Sequence, residues 1–175
     1  IKQGKSGNMY FVTVKHSIYA KNELVIVEEQ DIVYRDVSNQ VQPAVSQSAI
    51  PTPSIESKPF SYKQAFPIDT PTLFRYSALT FNSHKIHYDR PYAMQEEGYP
   101  GLVVHGPLLA TLLVHYFKQN YPNKHIATFD FRALSPVFDF DHIYVCGDVK
   151  QQNAELWIEK ASGQIAMKAN ITFSE

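Results

Sequence analysis

Residues Thr80 to Asp89 read TFNSHKIHYD, which packs Asn82, His84 and His87 into one short polar stretch, and His105, Gly106 and Pro107 stand immediately before a strongly apolar run. A histidine near its ordinary pKa exchanges a proton at neutral pH, whereas an asparagine orients water without titrating. Asn82 and His87 together could hold one water for attack on an activated double bond, or receive one as it leaves. Water added β to a carbonyl puts negative charge on the carbonyl oxygen, so this chemistry also needs a donor there. A backbone N–H near Gly106 fits, because the first amides of a helix lack internal acceptors and the helix dipole favours anionic charge. Gly106 lets a substrate approach the backbone closely. Pro107 shapes the turn and has no N–H to give.

Each of these residues also has a packing role open to it. Asn82 in a loop can satisfy backbone groups, His87 between Ile86 and Tyr88 can be a hydrogen-bonded half-buried ring, and His105 can orient its loop or cap the following helix. If the segment is a loop, periodicity does not choose between His84 and His87 as proton carrier. Metal chemistry is the weaker explanation: His84, His87, His105 and His115 form no HExxH and no cysteine is nearby in sequence, although Asp89 could join His84 and His87. Ser77 and Ser83 lack the GxSxG turn of a serine nucleophile, and neither GxGxxG nor GKS/T is present to cradle a nucleotide. No cofactor and no metal are expected.

Composition narrows the class further. The chain has 175 residues, enough for one domain core with some material left over, and 44% of them are hydrophobic against 19% charged. With 11 Phe and 11 Tyr, a β-rich globular body fits better than disorder or a helical bundle. A net charge of -1 supplies no broad basic face, so nucleic acid is not an expected partner. Arg75, Lys85 and Arg90 flank the polar segment and could still meet a local anionic ligand. The single cysteine, Cys146, rules out an internal disulfide, and its strand-like surroundings HIYVCGDV suit an inert thiol. No apolar stretch approaches the roughly 20 residues of a membrane span.

The elements that must position these residues follow from pattern. Tyr10 to His16 and Leu24 to Tyr34 read as a long antiparallel hairpin, marginal on its own and needing to pack against something. Residues 36 to 59 turn to Ser, Gln, Pro and Val and read as a linker. Thr70 is expected to cap a short helix with Pro71 in its first turn, and Asp89 to cap a second one, YAMQEEG, ended by Gly98. GPLLATLLVHY, from Gly106 to Tyr116, is apolar around nearly its whole circumference and predicts a buried central helix. Four strands are expected after it: His125 to Ala133, His142 to Val149, Ala154 to Lys160 and Ile165 to Phe173. One buried helix followed by an antiparallel series predicts an α+β fold, a curved sheet wrapped around that helix.

The combination of FRYSALTFN, HKIHYD and GYPGLVVHGP resembles the MaoC-like hotdog-fold acyl-thioester hydratases and dehydratases, in the branch of the mesaconyl-C4-CoA hydratases and mitochondrial hydroxyacyl-thioester dehydratases. The likeness covers Phe66 to Phe173, and the opening strands resemble the end of that family's first hotdog half. It implies three parts: 1–36 as the closing hairpin of a first half, 37–60 as linker, and 61–175 as a complete hotdog domain. The family pattern carries an aspartate and a histidine five positions apart with an asparagine between them. Here Asn82 stands at the aspartate-like place, His84 at the asparagine-like place, and His87 at the histidine. The resemblance therefore gives His87 the general acid/base role, leaves Asn82 to position water, and places the thioester carbonyl near Gly106. It implies a CoA thioester, or an acyl-carrier-protein thioester, as substrate. His84 and His105 would lie beside it, Phe81, Leu102 and Val104 would bound the acyl group, and Arg75, Lys85 or Arg90 would meet nucleotide phosphates. The missing first half, a second subunit or a homodimer would complete the assembly, in the cytoplasm or, in a eukaryote, the mitochondrial matrix. A thioesterase and a non-catalytic acyl-thioester-binding module are the competing functions.

Overall fold

The computed structural model describes residues 2–4, 7–35 and 60–174, so the linker expected over 37–60 lies almost wholly outside the described residues. The chain divides into two units, Ile1–Val41 and Gln42–Glu175. In the first, β1 (Lys2–Gly4), β2 (Gly7–Ala20) and β3 (Glu23–Arg35) form an antiparallel sheet in that order. The expected hairpin is present and longer than its apolar pattern suggested. Lys21 and Asn22 turn it with φ of 50° and 67°, the pair of left-handed residues that matches the twist of two joined strands. Val12, Ile18, Leu24 and Ile26 are exposed on this unit.

The second unit holds the core. Its five strands, β4 (Tyr62–Phe66), β5 (His125–Ala133), β6 (Ile143–Lys150), β7 (Asn153–Lys160) and β8 (Ile165–Ser174), order as β4-β6-β7-β8-β5, every neighbour antiparallel. In β8 the buried Ala169, Ile171 and Phe173 alternate with the exposed Lys168, Asn170 and Thr172, so one face turns to the core. On that side lies α2 (Gly106–Asn120), which packs against β6, β7 and β8 and buries Leu108, Leu109, Ala110, Leu112, Leu113 and Phe117. Its Phe117 ring meets that of Phe173 at 5.2 Å. Each such fully buried Leu or Phe is worth about 1.5–3 kcal/mol, which is why the apolar run fixes the helix against the sheet. This is the hotdog arrangement anticipated from the sequence.

Three details differ from the sequence pattern. Helix α1 (Thr70–Leu79) is capped by Asp69, whose carboxylate accepts the Thr72 N–H at 2.8 Å, and not by Thr70. A carboxylate one position earlier reaches the third helical amide, which draws Thr70 into the first turn. The second short element is one turn of π-helix, Tyr92–Glu96; Asp89 still accepts the Tyr92 N–H at 3.1 Å, and Gly98 follows with φ 71°. Strand β4 was not anticipated. It runs along the sheet edge with Lys63, Gln64 and Ala65 exposed, so it shows no apolar alternation, and only Tyr62 is buried.

Tyr62 pairs with Gly147 of β6, and its ring fills the space where a side chain on Gly147 would sit: an added Cβ would lie 2.4 Å from the Tyr62 ring. Gly147→Ala is therefore expected to lower stability by about 1–3 kcal/mol. The loss should shrink when Tyr62 is also replaced by Ser, a non-additivity that denaturant titration of the two single variants and the double variant would reveal.

Candidate active site

Helix α1 ends in a tight C-terminal turn that sets the first half of the site. The Asn82 N–H donates to the Ser77 carbonyl at 2.9 Å and the Phe81 N–H to the Ala78 carbonyl at 3.4 Å, while Phe81 takes φ 54°. This is the two-bond closure usually built on glycine at the left-handed position. Here that position carries a phenyl ring that is 94% exposed. Asn82, once turned out of the helix, accepts the His84 backbone N–H on Oδ1 at 3.0 Å. That contact identifies the oxygen of the amide and leaves it one further lone pair.

The second half is the short 3₁₀ turn Lys85–His87. It is pinned to the strand-like segment before α2 by two bonds: the Val103 N–H donates to the Ile86 carbonyl at 3.0 Å, and His87 Nδ1 contacts the Val103 carbonyl at 2.7 Å. A carbonyl only accepts, so Nδ1 carries the proton and Nε2 keeps a lone pair, the form a general base needs. His87 is buried, and burial pulls its pKa below the ordinary histidine value; the Val103 carbonyl opposes this, and nearby His84 reinforces it. A neutral imidazole at pH 7 is the result.

His87 stacks on His105, with ring centroids 3.7 Å apart and planes inclined by 17°. His105 is the residue immediately before Gly106 and occupies the N-cap position of α2, but its ring makes no cap bond. It reaches Ser77 instead, Nε2 to Oγ at 2.8 Å, and is 1% exposed. Burial, with His87 adding to it, depresses its pKa to about 4. With no side chain capping the helix, the first amides of α2 keep no intrahelical acceptor. A cavity of about 330 Å³ opens beside them, lined by Val104, Gly106 and Leu109 and by Ala133 to Val137 across from the helix. A Cβ placed on Gly106 would meet nothing within 4 Å.

Thus His87, His105 and Gly106 come together, and Asn82 joins them through Ser77. His84 lies close to His87, ring centroids 5.9 Å apart, but is half exposed with its Nε2 3.9 Å from Glu97. Val104 borders the Gly106 cavity, whereas Leu102 is sealed in the core and borders neither depression. Phe81 rims a separate shallow groove with Phe74, Asn82 and Tyr88. Arg90 is ion-paired with Asp139, whose other oxygen accepts the Leu102 N–H at 3.0 Å, so this arginine braces the loop. Lys85 lies over the Tyr92 ring at 5.4 Å, and Arg75 is exposed on α1. The same Asp139 closes the space at Gly101, where an added Cβ would stand 2.8 Å from its Oδ1 and 2.9 Å from Phe140. Cys146 is buried in β6 with its thiol pushed up to about 12 by burial, and it takes no part. Among the described residues no group of three or more His, Cys, Asp or Glu could hold a metal ion. Pattern reasoning missed the Val103 carbonyl, the 133–137 wall and the Ser77–His105 contact. A serine five residues before Asn82 at a helix end was the one available signal for the last.

Sheet, central helix and a neutral histidine pair at the helix start define a protein of the hotdog class. The chain belongs to the family of hydroxyacyl-thioester dehydratase type 2, whose model matches residues 2–139. It is 43% identical over 172 residues to the mesaconyl-C(4)-CoA hydratase of Chloroflexus aurantiacus, covering 97% of this chain and 58% of that protein. It is 37% identical over 155 residues to the mitochondrial hydroxyacyl-thioester dehydratase type 2 of Schizosaccharomyces pombe, covering 85% of this chain and 47% of that one. The chain thus spans about half the length of these relatives. The crystal structure of HtdX of Mycobacterium tuberculosis shares the fold at a TM-score of 0.68 and 14% identity, covering 97% of this chain and 61% of that one.

The depressed pKa of His105 ties stability to pH. The unfolded chain binds a proton on this ring near 6.5 and the folded chain only near 4, so acidification through that window favours unfolding. Denaturant titrations should show wild type losing up to ~3 kcal/mol more than His105→Gln between the two values.

Proposed function

We propose that this chain carries a catalytic site for reversible hydration and dehydration of a 2-enoyl thioester, with CoA as the thiol carrier. Water held between His87 Nε2 and Asn82 Oδ1 gives a proton to Nε2 as its oxygen bonds to the β carbon. The electron pair of the double bond moves to the thioester oxygen, where the Gly106 N–H at the start of α2 stabilises the enolate. The imidazolium then returns its proton to the α carbon, and the reverse sequence expels water. The observation that carries this reading is the commitment of His87 Nδ1 to the Val103 carbonyl, which leaves one basic nitrogen on a ring stacked against the residue before Gly106. The family membership and the names of the two relatives support the same reaction class. We further assign the acyl group to the cavity beside Gly106 and Val104. A second hotdog half or subunit completes the site, in the cytoplasm or in a mitochondrion, the compartment in the name of the Schizosaccharomyces pombe relative.

Incubation with crotonyl-CoA or mesaconyl-CoA is expected to add the mass of one water with the thioester intact; release of free CoA would instead support thioester hydrolysis. His87→Ala should lower kcat by at least ~100-fold, while Asn82→Asp keeps turnover because a carboxylate also binds water. Gly106→Ala separates fold from chemistry: the methyl faces open space, so melting is expected to be unchanged while kcat/KM falls by ~10-fold or more.

A further inference from the structure

We infer that Ser77 is a positioning residue for this reaction, holding both halves of the water-binding pair: its carbonyl fixes Asn82, and its hydroxyl fixes the His105 ring on which His87 is stacked. The inference rests on the hydration reading above for its kinetic consequence, but its geometry stands independently. The two bonds are 2.9 Å from the Asn82 N–H to the Ser77 carbonyl and 2.8 Å between Ser77 Oγ and His105 Nε2. Ser77 and His105 are both buried, so the bond between their side chains is shielded from bulk water.

His105 depends on this serine more than a buried ring usually depends on one partner. Its Nδ1 is buried without a hydrogen-bond partner among the described residues, so the Ser77 hydroxyl is the one polar group among them that hydrogen-bonds the ring and sets its rotation. The remaining restraints are the stacked His87 and the edge of Tyr76, 4.9 Å away between centroids, and both leave the ring free to slide in its own plane. The same restraint reaches His87. Its ring is fixed at one edge by Val103 and across one face by His105, with His84 perpendicular at 5.9 Å and Glu97 3.9 Å from His84. Removing the Ser77 hydroxyl therefore unfastens the platform under the base while leaving Asn82 held, because the carbonyl remains.

The same pair does not make Ser77 a nucleophile. Activation of a serine needs a histidine whose far nitrogen is oriented by a third group, and here that nitrogen has none. Ser77 is moreover packed inside the last turn of α1, with its oxygen turned to the ring.

The test is made in the full chain with Ser77→Ala and Ser77→Thr, reading kcat and KM for crotonyl-CoA across pH and the ring nitrogen signals of His87 and His105 by NMR. Ser77→Ala is expected to lose ~10- to 100-fold in kcat with KM changed by less than about three-fold. The acid limb of its pH profile should move, and His87 should lose its single Nδ1–H form. Ser77→Thr, which keeps the hydroxyl, should restore the His87 signals and most of the rate. Unchanged kcat together with unchanged ring signals in Ser77→Ala would overturn the inference, as would an acyl group found on Ser77 by mass spectrometry. If wild type hydrates no enoyl thioester, the proposed reaction fails while the ring signals still decide the role of Ser77.

Discussion

A helix as apolar as α2 needs a partner along most of its length, and it finds one in β6, β7 and β8, against which Leu108, Leu109, Leu112, Leu113 and Phe117 are buried while Pro107, Thr111, His115 and Gln119 stay exposed on the opposite stripe. The first amides of α2, which elsewhere would be hydrated or capped by a side chain, here open onto a cavity with no capping group. The partial positive charge of this uncapped helix end is thus directed at the cavity. The electrostatic feature at the centre of the site is therefore a by-product of the packing that makes the core.

The histidines obey the same constraint. Two imidazoles stacked 3.7 Å apart in a buried setting cannot both be charged, and both are pushed toward neutrality by loss of solvent. His105 is pushed further than any use as a proton carrier near neutrality would want, whereas His87 keeps a carbonyl partner that partly offsets burial. The environment thus separates two chemically identical side chains: His87 keeps a carbonyl partner on Nδ1, while His105 is held further toward neutrality. Sequence spacing alone gives both rings the same standing.

What was legible beforehand follows from how local each signal is. The long hairpin, the buried helix and the four closing strands were readable because period-two and all-apolar patterns persist over many residues, and their boundaries fall within a few positions of those observed. The family motif brought His87, Asn82 and Gly106 forward together. Strand β4 was missed because an edge strand exposes most of its side chains, and the π-turn at Tyr92–Glu96 leaves no distinct mark in a short polar segment. The cap of α1 was misplaced by one residue because Asp69 and Thr70 are both competent and only the reach of the carboxylate decides. Val103 acts through its carbonyl, which every residue possesses, and Ser77 meets His105 across 28 positions of chain. Contacts of those two kinds have no sequence pattern of their own.

Gly101 and Gly106 stand five residues apart on the same approach to α2 and face opposite surroundings: one is hemmed in by Asp139 and Phe140, the other looks onto empty space. A mutagenic library spread over this loop would therefore lose its members for two unrelated reasons. Variants at the first position would be culled during expression, before any assay. Those at the second would survive purification and, on the proposed mechanism, fail only when offered substrate, so a screen for soluble protein would filter one glycine and pass the other unexamined.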